Sequence, residues 1–464
     1  MRILLVWPNS RNEVLGWGDL GAIAEPLALE YLGSALIQQG HEIRILDLRL
    51  HPKDLASTLS EFKPRLIGVT AFTMHMKRAI EIVREAKTMD PAIATIVGGH
   101  HATFRPQDFF VDEMDFVVSG EGMGPITEVV SSLEAGCAPK PMAGLYFRPP
   151  GSGDFAGSGR STFSKAAFHN IITPDRGLTR VDRDRYFIDD MRPVALMRTS
   201  VGCPYRCTFC SIWRAMEGHY YTRDTEHVVS ELRTIEERDI FLVDDEAFIN
   251  GRRMVALAEA IAHSGIRKRF FTYCRIDTLL RNREAIEAWR DIGLVRLFIG
   301  IDAISDKDLD EYHKKCEIAQ IEQGIDLARA LGIEIFAQFV VNTDYTRSDF
   351  KALVRFIEHH GIDYPSFTVL TPLPGTDLLQ DGIVTQTDED GSPDWNLFDC
   401  QNAVTATRLA PELFRREYRN LYKVFKGAYT QYREHVHLVH ELSPEEALRT
   451  GHPTSAVRTN TSII

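Results

Sequence analysis

Short apolar runs alternate with helix-like stretches twice along this chain, and that alternation restricts the fold more than any other feature. In the first series "RILLVW" (2–7), "HEIRILDL" (41–48), "RLIGVTAF" (65–72), "IATIVGG" (93–99) and "DFVVSGEG" (115–122) read as strands. Residues 26–40, 54–64, 76–91 and 124–136 between them carry helical spacing. Such a series builds a parallel sheet with helices on both faces, a doubly wound Rossmann-like α/β unit. Sheets of this kind bind ligands beyond the carboxyl ends of their strands. Those ends here are "WPNS" (7–10), "TAFT" (70–73), "GGHHAT" (98–103) and "SGEG" (119–122), rich in Gly and small polar residues. Backbone can therefore approach a ligand closely.

The second series starts at "VALMRTSV" (194–201) and continues through 239–245, 269–275, 294–302, 333–342 and 366–376. Helical stretches are expected at 225–238, 251–264, 283–292, 317–331 and 348–360. Six βα units are too few for a closed eight-stranded barrel, so a partial, open (β/α)6 barrel is expected. Residues 148–165 are dense in Pro, Gly and Ser and read as a linker or surface hairpin, and 166–193 show little periodicity. The expected division is 1–145, a linker over 146–193, the barrel over 194–380 and a helical C-terminal region over 381–464 that shapes a substrate pocket. Within that region 396–447 look helical, and the tail "RTGHPTSAVRTNTSII" has no pattern.

Composition narrows the function class. The net charge of −12 argues against a nucleic-acid footprint, which needs a basic face. No apolar run approaches the roughly 20 residues that span a bilayer, so a cytoplasmic protein is expected. Thiols stay reduced there, and clustered cysteines point to metal binding or catalysis rather than disulfides.

Three of the seven cysteines, Cys203, Cys207 and Cys210, fall in "VGCPYRCTFCS" (201–211). Zinc sites with four protein ligands come as paired thiols or with nearby histidines. No fourth ligand is obvious close to this loop. Three thiolates on a four-iron cubane leave one iron open to a small molecule. The competing reading is a zinc knuckle.

"CPYRCTFC" resembles the cluster motif of the radical S-adenosylmethionine (SAM) superfamily. The similarity extends through "VDDEAFIN" (243–250), "YCRID" (273–277), "GID" (300–302) and "LTPLPGT" (370–376). Together with "GVTAFT", "VGGHHATFRPQ" and "DFVVSGEG" it covers roughly 1–380 and looks like the branch with an N-terminal cobalamin-binding domain. That branch includes methyltransferases and the magnesium-protoporphyrin ester cyclase.

The resemblance implies that Cys203, Cys207 and Cys210 hold a [4Fe–4S] cluster whose open iron takes the amino and carboxylate groups of SAM. Reductive cleavage would then yield a 5′-deoxyadenosyl radical. Phe209 would touch the adenine, or else pack the loop. One of Asp244, Asp245 and Glu246 would receive the methionine ammonium, unless these acids only cap the helix that follows. Arg275 could clamp the methionine carboxylate in bidentate fashion or pair with an acid. Asp302 could bind the ribose hydroxyls, and Gln338 could face the barrel lumen. At the first sheet, Thr70, Thr73, Gly98, Gly99 and Glu121 are the expected cobalamin contacts.

The Asp-x-His-x-x-Gly segment that ligates cobalt in one type of cobalamin protein is absent from 1–150, so cobalamin would bind His-off. His100 and His101 read as surface or hydrogen-bonding residues. His435, His437 and His440 fit a solvated helix or turn better than a metal site. Cys137, Cys274, Cys316 and Cys400 read as ordinary buried or surface thiols.

The leading expectation is a cobalamin-dependent radical SAM methyltransferase acting on an unactivated carbon or phosphorus of a small molecule. Flavodoxin or ferredoxin would supply electrons. A non-methylating enzyme of the same fold is the runner-up: a cyclase, a rearranging enzyme, or one that moves the aminocarboxypropyl arm of SAM. A cobalamin or redox sensor with a structural cluster is the alternative of another class.

Overall fold

The computed structural model describes residues 1–9, 22–362 and 364–425. Strands β1 (Arg2–Trp7), β2 (Glu42–Asp47), β3 (Leu66–Thr70), β4 (Ala94–Gly98) and β5 (Phe116–Val118) are parallel, and β6 (Leu145–Phe147) joins the edge antiparallel. Their order is β2-β1-β3-β4-β5-β6. Period-two alternation divides the strand side chains between two cores. Leu4 and Val6 pack with Leu59 of α2 (Leu55–Phe62) and Val83 of α3 (Met76–Met89). Ile3 and Leu5 pack with Leu36 of α1 (Leu27–Ile37) and Val129 of α5 (Met123–Ala135). The order reverses between β1 and β3, which opens a ligand crevice at their carboxyl ends.

Several short elements went unforeseen, β6 and α4 among them. β6 has three residues, too few for a periodic signal, and α4 (His100–Phe104) has five. β5 ends at Val118, short of the expected Gly122, because Gly120 turns the chain at φ +98°.

The second sheet runs in chain order, all parallel: β7 (Val194–Met197), β8 (Asp239–Leu242), β9 (Arg269–Cys274), β10 (Leu294–Asp302), β11 (Glu334–Val341) and β12 (Tyr364–Val369). Six strands curl into the open barrel. Outward residues meet the helices: Phe270 packs edge-on against Trp289 of α9 (Arg283–Asp291; α6 is Thr225–Thr234, α7 Gly251–His263, α8 Ile276–Arg281) at 5.2 Å. Inward, Phe241, Phe271, Tyr273, Phe298 and Phe336 form a continuous aromatic layer. Below it Arg296, 1% exposed, pairs with Asp189 and Glu334 and lies 4.4 Å over the Tyr364 ring. This cluster fills the floor among the described residues, at the amino ends of the strands.

The segment expected to be a linker is packed. Phe168, Ile188 and Met191 belong to the barrel core, and Tyr186 and Phe187 pack with Ile23 and Leu50. Arg176 and Arg183 from this stretch meet Glu25, Glu30, Glu231 and Glu237 in a buried charge network between the two sheets.

Among the described residues of the C-terminal region, helix is confined to a turn at Trp395–Leu397 and to α12 (Pro411–Val424), after α10 (Ile318–Ala330) and α11 (Arg347–His359). The expectation of helix from 396 onward fails over 398–410, where Val384 bridges to Thr405 and Pro411 opens α12. Trp395 packs on His101 and Arg105 of the first unit, at ring distances of 5.1 and 5.4 Å. His435, His437 and His440 lie outside the described residues.

Candidate active site

The cysteine loop leaves β7 through a two-residue ladder, Ser200–Val201 against Tyr221–Thr222. Gly202 follows at φ +88°, and a Cβ there would lie 2.0 Å from the His219 carbonyl oxygen, so only glycine fits. The loop is tied down on both sides. Thr208 N–H donates to the Tyr312 carbonyl (3.1 Å), Asp377 N–H to the Thr208 carbonyl (2.9 Å), and Trp213 Nε1–H to the Cys207 carbonyl (3.2 Å). Cys207 is buried; Cys203 and Cys210 are half-buried, and all three are free thiols.

Burial pushes the Cys203 thiol up to about 12 and that of Cys210 to about 11. Such thiols become thiolates when a metal takes the charge. Among the described residues no three His, Cys, Asp or Glu side chains converge as ligands of one ion. A single zinc would draw its sulfurs to about 3.8 Å from one another, from the ~2.3 Å Zn–S bond and tetrahedral angle. Three separate thiols on a short, clamped loop suit a polynuclear cluster with one iron per thiolate.

Arg275 meets the second of its two expected roles, pairing with an acid, and not the carboxylate clamp. Its Nε donates to Asp277 (2.8 Å), Nη2 to the Lys314 carbonyl, and Nη1 points at Cys207 Sγ (3.6 Å). The guanidinium also lies 3.8 Å over the Tyr205 ring, inside the cysteine loop. Both bidentate edges are occupied, so Arg275 positions the loop and places positive charge beside Cys207.

The three acids have different employments. Asp244, fully buried, accepts four hydrogen bonds, from the backbone N–H and the hydroxyl of both Thr199 and Ser200 (2.5–3.0 Å). Glu246 accepts from Arg275 N (2.7 Å), Thr278 Oγ1 (2.9 Å) and Phe248 N (3.3 Å), and burial raises it to about 7. Asp244 has no acceptor site left for a ligand, while Glu246 keeps one, on the oxygen that accepts from Arg275 N. Asp245 accepts only from Gly202 N (2.7 Å), which leaves one oxygen without a partner among the described residues.

Asp302 sits at the end of β10 at φ +65° and is paired with buried Lys314. Lys314 also acts electrostatically on Cys207 and Cys210. The sequence reading missed this lysine because "HKKCE" carries no periodic or spacing signal. Gln338 is on the lumen face, between Gly300 and Ser366 by register, and donates to Thr368 Oγ1 (3.0 Å). Phe209 packs edge-on against Tyr312 at 5.4 Å, which serves the loop-packing alternative.

At the first sheet, β3 and β4 close in on each other. A Cβ at Gly99 (φ +102°) would lie 2.6 Å from Ala71 N, whereas one at Gly98 would have 3.7 Å of room. Thr103 Oγ1 donates to the Gly99 carbonyl and accepts from Gly120 N. Thr70 is half-buried, and Thr73 Oγ1 is buried without a partner. Phe72, 46% exposed, presents an aromatic face beside them. Glu121 departs from the expected role: its carboxylate accepts Met123 N and Gly124 N at the start of its own helix. An apolar face, glycine at the strand ends and a free buried hydroxyl fit a flat macrocycle with a polar tail.

His100 and His101 are hydrogen-bonded as expected, but neither is a surface residue. His101 is fully buried against Asp108 (3.0 Å). Burial lowers His100 to about 4, and its Nε2 meets Ser211 Oγ at 3.0 Å. Ser211 follows Cys210 directly, so this contact joins the end of the first sheet to the cysteine loop.

Comparisons agree with this geometry. A model described as "B12 binding domain" matches residues 17–130 and one described as "Radical SAM superfamily" matches 197–357. Hopanoid C-3 methylase of Methylococcus capsulatus is 32% identical over 400 residues, spanning 84% of this chain and 74% of that one. The anaerobic magnesium-protoporphyrin IX monomethyl ester cyclase of Cereibacter sphaeroides is 27% identical, over 82% of this chain and 63% of that one. Among solved structures, the cobalamin-dependent SAM radical enzyme OxsB with aqua-cobalamin and SAM bound superposes with a TM-score of 0.69 at 17% identity, covering 97% and 74%. The methyltransferase TsrM of Kitasatospora setae with cobalamin and a [4Fe–4S] cluster gives 0.62 at 19%, covering 90% and 85%.

Proposed function

The chain belongs to the branch of the radical SAM superfamily that carries an N-terminal cobalamin-binding domain, and from that premise we propose that it methylates an unactivated carbon, or a phosphorus, of a small molecule. The observation that carries the reading is the junction of the two sites: the loop with three free thiols abuts the glycine-rich strand ends of the first sheet through His100 and Ser211. When bound, the cluster with SAM supplies hydrogen-atom abstraction and cobalamin supplies methyl transfer.

The protein's own residues hold and orient these groups. Cys203, Cys207 and Cys210 provide three sulfur anchors. Arg275 and Lys314 set positive charge against the thiolates in a site of low dielectric, where such pairing is strong. Asp245 offers its free oxygen to the SAM ammonium. The Asp302–Lys314 pair stands at the next strand end but one, within the same mouth. The aromatic layer and the Arg296 plug keep water from entering through the floor. A flavodoxin or ferredoxin is the proposed electron source.

The test is anaerobic reconstitution with iron, sulfide, cobalamin, SAM and a reductant. Formation of 5′-deoxyadenosine together with S-adenosylhomocysteine is the expected result, and Cys207→Ala should abolish both. Deoxyadenosine without S-adenosylhomocysteine would replace methyl transfer with a cyclase-type reaction. Release of 5′-methylthioadenosine would point to aminocarboxypropyl transfer.

A further inference from the structure

Three cations near the mouth of the barrel are already engaged. Arg275 is held by Asp277, Lys314 and Cys207; Lys314 is paired with Asp302; Arg253 donates to the hydroxyl and carbonyl of Thr199. Arg198 is not. It follows β7 directly, and period-two alternation carried on from Leu196, the partner of Phe241, assigns it to the face lined by Phe241 and Tyr273. Its Nε is buried with no hydrogen-bond partner, and no ion pair ties its guanidinium to another described residue.

Among the described residues, Asp245 has a free oxygen and no cation bonded to it. Asp302, whose Oδ1 is also unbonded among the described residues, is already paired with Lys314. Asp245 and Arg198 feel each other. The charge of Arg198 opposes the burial that raises the Asp245 carboxyl. They nevertheless do not meet as an ion pair. A guanidinium and a carboxylate on adjacent strands, coupled but not joined, are complementary to a zwitterion set between them. Asp245 binds the amide of Gly202, next to Cys203, so such a zwitterion would lie against the cysteine loop.

We propose that Arg198 receives the carboxylate of the methionine end of SAM while Asp245 receives its ammonium. Arg198 is thus a positioning residue for SAM, in the role that a strand-end reading would give to Arg275. The inference rests on the reading of the cysteine loop given above. An amino-acid substrate would offer the same chemistry, so the experiment is run without substrate.

The measurement is equilibrium binding of SAM and of decarboxylated SAM to the anaerobically reconstituted protein. A charge-assisted contact of this kind corresponds to roughly ten- to hundredfold in affinity. R198M should weaken SAM by that factor and leave decarboxylated SAM within about twofold. R198K should recover part of the loss, and it carries the test alone if R198M fails to fold. Equal loss for both ligands, or unchanged SAM affinity in both variants, overturns the proposal. Wild-type protein that binds neither ligand overturns the cluster reading and this inference together. Tight wild-type binding with unaffected variants overturns this inference alone.

Discussion

Asp244→Ala should open the cysteine loop without touching a cysteine. The carboxylate is 0% exposed and accepts the backbone N–H groups of Thr199 and Ser200 at 2.6 and 3.0 Å, plus both hydroxyls. The hydroxyls can turn to other partners after the change, but the two amides cannot. Each buried amide left unpaired costs about 1–3 kcal/mol, so the loop base should lose about 4 kcal/mol. That is about three orders of magnitude in the local opening equilibrium. Asp244→Asn keeps one oxygen for the amides and turns its NH2 toward hydroxyls that can accept. It should cost only about 1 kcal/mol, the charge-assisted part. A single melting temperature is ill-defined for a chain with two sheets and bound cofactors. The assay is therefore local: pulse labelling of Cys207, which is 7% exposed, read by mass spectrometry, alongside iron retained after reconstitution. Faster labelling and low iron in the alanine variant, with near-normal asparagine, are expected. Equal behaviour of the two variants, or labelling in Asp244→Ala within about threefold of wild type, would refute the hydrogen-bond reasoning.

Gly99→Ala should abolish retention of cobalamin, measured by absorbance after gel filtration, because its Cβ would press on Ala71 backbone at 2.6 Å. Gly98→Ala, with 3.7 Å to its nearest neighbour, should retain it. In the buried network, Glu30 is raised from 4.5 to about 7 by burial, against the opposing charge of Arg176. A raised carboxyl favours the fold while it is protonated: its contribution is full below about pH 4.5 and is lost as pH rises through about 7. Glu30→Gln should match wild type near pH 4.5 and exceed it at pH 8, followed in both proteins as the midpoint of the one urea transition that exposes this network, across that range. A variant less stable than wild type at pH 8 would show that the ion pair with Arg176 outweighs the burial of the charge.

The strands and helices were largely readable because burial repeats along the chain. Leu4 and Val6 face one core while Ile3 and Leu5 face the other, and Phe270 and Phe271 divide in the same way between helix and lumen. The elements that escaped, β6, α4 and the irregular 398–410, are too short or too aperiodic to show such a repeat. The cysteine loop was readable for another reason: its three donors lie within eight residues, so their geometry is local. What no local pattern contains is whether a polar group is already satisfied. Asp244, Asp245 and Glu246 are adjacent acids in one run, yet partners 44 and 45 residues away saturate the first, partners 29 and 32 residues away join Phe248 N on the third, and the second is left an oxygen. Arg275 and Arg198 both stand at strand ends; Asp277 and the Lys314 carbonyl occupy one, while nothing described occupies the other. Ligand-binding capacity in this mouth is what remains after the fold has satisfied its own donors and acceptors, and that remainder becomes visible only once every buried hydrogen bond has been placed.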